Sequence, residues 1–178
     1  IRYAYDKYGV ENTCVITRSN KSATMYNKFI RQQIHFREDE IEAGDFLMVV
    51  KNNYDWLPLD SKAGFLANGE YLEVMRVNDT DQEMYGRRFA DLTFRLVDYP
   101  GHPLFEAKVV LDTLHSNSPA LTQEEYREMQ DAAMLRYLEE AENREEQMLL
   151  ANADEHLRAL QVKYAYALTC HKSQGGQW

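Results

Sequence analysis

Six consecutive residues, His171, Lys172, Ser173, Gln174, Gly175 and Gly176, gather an imidazole, an ammonium, a hydroxyl, a side-chain amide and two unhindered backbone N–H groups. That set suits a phosphate: the ammonium offsets its charge, while hydroxyl and amide groups donate to its oxygens. An ordinary glycine turn after a strand would carry the same residues. A second polar set, Arg18, Asn20 and Lys21, follows the apolar stretch at 14–17. A third lies between Lys51 and Asn68, where Asn52, Asn53, Tyr54 and Trp56 put aromatic rings beside amides. Such rings could stack bases, or they could plug the end of a small barrel.

The elements that must position these groups follow from periodicity. Residues 164–169, YAYALT, form an apolar run that reads as a buried strand. Residues 14–17 read as a short strand, and Asn20 or Ser22 can cap a helix to about residue 34, with Met25, Phe29 and Ile30 on its apolar face. Both polar sets therefore fall at strand carboxyl ends, where α/β sheets present ligand-binding groups. The two ends of the chain are expected to form one site.

Between them the texture is β. Gly44-Asp45 reads as a turn, 46–50 as a buried strand and Asn68-Gly69 as a hairpin signal leading into a strand at 71–77. Stretches 89–97 and 105–111 add two more, and several short strands split by turns predict a small antiparallel barrel. Thr122-Gln123-Glu124-Glu125 has the capping-box pattern of a helix start. That helix is expected to run to about 144, with a second stretch to 160.

With 178 residues, 44% hydrophobic and 28% charged, the chain can bury a sizeable core and is not of disordered composition. No apolar run approaches the roughly 18 residues of a membrane span, so no membrane partner is expected. Cys14 and Cys170 lie far apart and read as reduced thiols of a cytoplasmic protein, with no metal site. The net charge of −9 has the wrong sign for a protein that coats nucleic acid. Most of the acidic excess lies between Glu124 and Glu155, however, which leaves room for a local basic groove elsewhere.

Three stretches, in order, resemble motifs of superfamily 1B DNA helicases, in the RecD-like and Dda-like branch. ALTCHKSQGGQW, residues 167–178, resembles motif V, in which T-x-H-K-[SA]-Q-G follows a strand. VITRSNKSATMYNKFIR, residues 15–31, is similar to motif IV. GDFLMVVKNNYDWLPLDSKAGFLANGEYLEV, residues 44–74, resembles the family's GDxVMxxxNxY…NGDxGxV element. Departures occur at Glu70 and Leu72, where Asp and Gly are usual, and at Gly176-Gln177-Trp178, where many relatives carry S-E-[FY] with the acid near the nucleotide ribose.

The resemblance implies an α/β fold: part of a RecA-like (P-loop NTPase-type) domain 2A, interrupted by a small antiparallel Src-homology-3-like β-barrel insert and a helical segment. The implied divisions are 1–43 (first part of domain 2A, motif IV), 44–118 (the barrel, domain 2B), 119–160 (acidic helical segment) and 161–178 (return to domain 2A, motif V). It further implies the C-terminal motor-domain fragment of an ATP-dependent helicase, like the exonuclease V alpha subunit, acting in DNA repair and recombination. Thr169, His171, Lys172, Asn53 and Tyr54 would touch single-stranded DNA. Arg18, Asn20, Ser173, Gln174, Gly175 and Gln177 would couple DNA to the nucleotide. ATP and magnesium would serve the intact parent chain, whose first RecA-like domain is the implied partner. The fragment alone is expected to be inactive, with no catalytic residue, because it has no GxxxxGK[ST] loop, no acidic magnesium motif and no T-R motif. Two alternatives stay open: a non-enzymatic single-stranded nucleic-acid-binding module, or a protein-interaction domain using the acidic helices.

Overall fold

In the computed structural model, which describes residues 1–58 and 61–173, two strands from opposite ends of the sequence pair with each other. After a first helix, α1 (Arg2–Tyr8), strand β1 (Val15–Thr17) runs parallel to β7 (Ala167–Thr169), in the register Val15↔Ala167 and Thr17↔Thr169. Helix α2 (Asn20–Gln33) covers them. The Ser19 hydroxyl caps it by accepting from the Ser22 N–H at 3.2 Å. The inward face differs from the expected one. Ala23, Asn27, Ile30 and Arg31 are buried, whereas Met25 and Phe29 are exposed.

Polar residues hold those inward positions because each has a buried partner. Asn27 donates from Nδ2 to the Ala167 carbonyl at 2.9 Å and accepts from the Ala167 N–H at 2.8 Å. Both backbone groups point away from β1, so the amide completes the outer edge of β7. Arg31 donates from Nε and Nη2 to the two carboxylate oxygens of Asp45, each at 2.8 Å. The Tyr166 hydroxyl (2.8 Å) and the Glu42 N–H (2.8 Å) also donate to Asp45, which is fully buried.

The rest of the sheet structure is a closed barrel. Strands β2 (Phe46–Val49), β3 (Tyr71–Met84), β4 (Arg87–Leu96), β5 (Phe105–Val110) and β6 (Leu160–Tyr164) pair in sequence order, and β6 returns to β2. Alternate side chains, among them Leu72, Val74, Leu92, Phe94, Leu96 and Val162, fill the interior. Strands β3 and β4 turn at Tyr85-Gly86, both at positive φ, as a two-residue hairpin with right-handed strand twist requires.

This arrangement overturns the expected fold. The α/β part is a two-stranded sheet under one helix, not a RecA-like domain 2A with a barrel inserted in it. Nor is the barrel wholly antiparallel: β5 and β6 run parallel, with Val109↔Leu160 and Val110↔Gln161 as partners. The physical reason lies in the run at 160–169. It bends at Ala165-Tyr166, so its first half closes the barrel and only its second half reaches β1.

A parallel pair needs a long crossover, and the helical segment supplies it. Helix α3 (Asp112–His115) is followed by α4 (Gln123–Arg136), opened by the Thr122–Glu125 capping box, and α5 (Arg144–Ala153). Met129, Ala133, Ala151 and Leu157 pack with Phe89 and Val110 in a second small core.

Lys163 on β6 donates to the carbonyls of Thr113 (2.9 Å) and Ser116 (2.6 Å), and burial lowers its pKa to about 8. An unfolded chain, with the lysine near its ordinary 10.5, binds the proton more tightly. Between those two values it carries more protons than the folded chain, so stability rises with pH there. Below about 8 both states are protonated and the burial penalty is fully present. Urea midpoints for the wild type and Lys163→Met should therefore diverge in favour of the wild type between about pH 7.5 and 10. A pH-independent difference would argue against the shift.

Candidate nucleic-acid interface

Parallel pairing of β1 and β7 puts their carboxyl ends side by side. The Thr17 hydroxyl donates to the Leu168 carbonyl at 3.0 Å, and the Cys170 thiol lies 3.4 Å from the Thr17 carbonyl oxygen. The chain turns from Thr169 directly into α6 (Cys170–Ser173), the short helix that carries His171 and Lys172. Arg18 and Asn20 follow β1 at the same end of the sheet. Arg18 and His171 are exposed, while Thr169, Asn20 and Lys172 are half-buried. Ser173 closes α6. Gln174, Gly175 and Gln177 lie outside the described residues.

The barrel comes to this corner through the loop between β2 and β3. Lys172 donates from Nζ to the Asn68 side-chain oxygen, and its partial burial lowers the ammonium's pKa. The Asn68 N–H donates to the Asn52 side-chain oxygen at 2.7 Å, and Asn52 Nδ2 donates to the Tyr54 hydroxyl at 3.4 Å. A continuous run of hydrogen bonds thus links Lys172 to Tyr54 across 104 residues of sequence between Lys172 and Asn68. Of these partners Asn68 was legible only as a turn former, and its Asn-Gly pair gave no sign that the side chain reaches a lysine.

The loop is held by its own backbone. Asn53 and Leu66 form an antiparallel bridge, with N–H to carbonyl distances of 2.9 Å in both directions. The Asn53 side chain is occupied in this scaffold: it donates to the Arg158 carbonyl at 2.8 Å and accepts from the Asp55 N–H at 3.0 Å. Its place is therefore structural in this geometry, one position before the exposed Tyr54. Trp56 belongs to the scaffold as well, because its indole donates to the same Arg158 carbonyl at 2.8 Å and its ring packs on the core. Trp56 is thus fixed in the scaffold, whereas Tyr54 is exposed.

Tyr54 is 67% exposed and stacks on Phe65 with ring centroids 4.8 Å apart and planes 25° from parallel. Phe65 carries no signal in the sequence beyond a single Phe after a Gly. The acidic residues of α4 and α5 belong to the crossover and not to the loop and sheet end that carry these groups.

Both cysteines are free, and burial pushes the Cys14 thiol up to about 11, which makes it a poor nucleophile. No described helix is long and apolar enough to cross a membrane. The chain matches no protein-family model and no curated protein.

Proposed function

We propose that the chain grips the backbone of single-stranded DNA at the corner where β1, β7 and the barrel loop meet, as the DNA-holding part of a RecD-like helicase in the cytoplasm. The observation that carries this reading is Lys172 hydrogen-bonded to Asn68, a cation offered at the junction of strand end and barrel. Arg18 and His171 stand exposed at the same sheet end. The free thiols support a reducing compartment. In this reading Thr169, His171 and Lys172 hold phosphates, and Arg18, Asn20 and Ser173 border the nucleotide-coupling side.

ATP and magnesium do not fit this chain's own residues. The sequence has no phosphate-cradling glycine loop, and the described residues gather no three acidic, histidine or cysteine side chains placed to hold a metal. No phosphoryl-transfer step is therefore assigned to it. The reading implies a first RecA-like domain of the same polypeptide as the partner that would hold the nucleotide.

One observation favours a second reading, a binding module without a motor: among the described residues the closed barrel and its crossover dominate the fold, and the sheet at the strand ends has two strands. ATP hydrolysis by a longer polypeptide carrying the nucleotide domain, stimulated by single-stranded DNA, separates the two. The motor reading requires the stimulation, and the module reading requires binding without it.

The grip itself is tested by Lys172→Ala. A lysine on a phosphate contributes equally whatever the base, so affinity for single strands should fall to a similar extent across sequences. The slope of log affinity against log salt should flatten by about 0.7. Fluorescence anisotropy with labelled oligonucleotides at four salt concentrations measures both. Unchanged affinity and slope would remove Lys172 from the interface.

A further inference from the structure

The aromatic pair beside the grip is not part of the core that anchors the loop. Leu57 and Leu66 are buried in the main core and Trp56 packs against it, whereas Tyr54 and Phe65 lie outside that cluster. Both rings are exposed, at 67% and 37%. A Tyr-Phe stack in water contributes little to folding that burial of the same rings would not exceed. It does create a flat aromatic surface: Phe65 covers one face of Tyr54, and the exposure of Tyr54 leaves its other face to solvent.

The surface is pre-set. The Asn53–Leu66 bridge fixes the residues immediately before Tyr54 and after Phe65, and Asn52 holds the Tyr54 hydroxyl. Asn52 also holds Asn68, which in turn receives Lys172. A ring platform and a phosphate-neutralising ammonium therefore stand at the two ends of one hydrogen-bonded run. Little loop entropy remains to be lost when a ligand binds both ends.

We infer that Tyr54, backed by Phe65, is a base-stacking platform that takes an unpaired nucleobase from the strand whose backbone lies on Lys172. The inference rests on the proposed single-strand grip and narrows its ligand to nucleic acid with accessible bases. Bases in a duplex already stack on their neighbours and present only their edges in the grooves, so duplex is excluded from the platform. Every base has a π face, so the platform discriminates poorly among the four. The Asn68 and Asn52 amides occupy the space between the two contacts and are the groups next to the sugar.

Comparing an oligothymidylate with an abasic strand of equal length, which keeps the phosphates and removes the bases, isolates the stacking. The wild type should bind the thymidylate roughly tenfold more tightly or better, in line with the contribution of a stacked base. Tyr54→Ala should erase that ratio while keeping the abasic affinity. Tyr54→Phe should retain the ratio, and Phe65→Ala should reduce it. Lys172→Ala should lower affinity for both strands together and leave the ratio intact.

Equal binding of the two strands by the wild type, or an unchanged ratio in Tyr54→Ala, overturns the platform and leaves the phosphate grip standing. A ratio that persists beside an inert Lys172→Ala overturns the grip and leaves the platform. Binding of neither strand overturns both. Because Tyr54 is exposed, its variants should unfold at wild-type urea concentrations, and a shared circular-dichroism spectrum checks that they fold.

Discussion

Asp45→Ala is expected to lower the unfolding free energy by about 3–5 kcal/mol, the usual cost of removing one partner from a buried ion pair. The magnitude follows from what the carboxylate leaves behind. Arg31, only 5% exposed, would keep its charge with Nε stripped of its acceptor and Nη2 reduced to its bond with the Asp39 carbonyl. The Tyr166 hydroxyl and the Glu42 N–H would lose the same acceptor. Desolvation, and not the worth of the pair itself, sets the cost, so replacing both charges should be far less harmful than replacing one. Arg31→Met combined with Asp45→Leu should therefore destabilise by less than the sum of the single changes. Urea unfolding followed by far-ultraviolet circular dichroism gives all four corners of the cycle. Strict additivity, or a single-variant loss below about 0.5 kcal/mol, would show that the buried network is not coupled as drawn.

Asn27→Leu ranks second. Its amide makes both hydrogen bonds available to Ala167 on the outer edge of β7, and leucine of similar size fills the space without replacing either. Each orphaned buried group costs roughly 1–3 kcal/mol, so the loss should reach about 2–5 kcal/mol. The effect should also be local. Hydrogen exchange at the Ala167 amide should accelerate by orders of magnitude, while amides of Leu92 and Phe94 in the barrel should slow or quicken only with global stability. Because β7 leads directly into α6, affinity for single strands should weaken as well. A well-protected Ala167 amide in the variant would contradict the assigned partner.

The two changes also mark where sequence reading succeeds and fails. The capping box at Thr122–Glu125, the strand ahead of Arg18 and the start of the barrel at Phe46 are local patterns, and local chemistry sets them. The face of α2 was misread because apolar spacing pointed to Met25 and Phe29, whereas Asn27 and Arg31 turn inward to partners 140 and 14 residues away. The Tyr85-Gly86 turn was hidden because a tyrosine at positive φ leaves no sign in composition. The RecA-like expectation failed on long-range pairing: residues 167–169 do return to β1, but the residues just before them, Leu160–Tyr164, close the barrel by pairing with β5 and β2, and the sheet they leave has two strands. Lys172 and Tyr54 stand out in the sequence by residue type and loop position, and their part in binding is a proposal. Asn68 and Phe65, which connect and back them, do not stand out, since their roles exist only once distant segments meet.

The short bend at Ala165-Tyr166 has a mechanical side. Tension applied to a strand held at Lys172 enters the protein through three residues of β7 and reaches β6 after only those two. Strand β6 is hydrogen-bonded on both flanks, to β2 and β5, and the Asp45–Tyr166 bond clamps the bend to the start of β2. A load along β6 is shared among its ladder bonds at once, whereas a load across it would peel them one at a time. In the proposed grip, a pull on Lys172 would therefore meet a stave braced on both flanks before it reached the rest of the barrel.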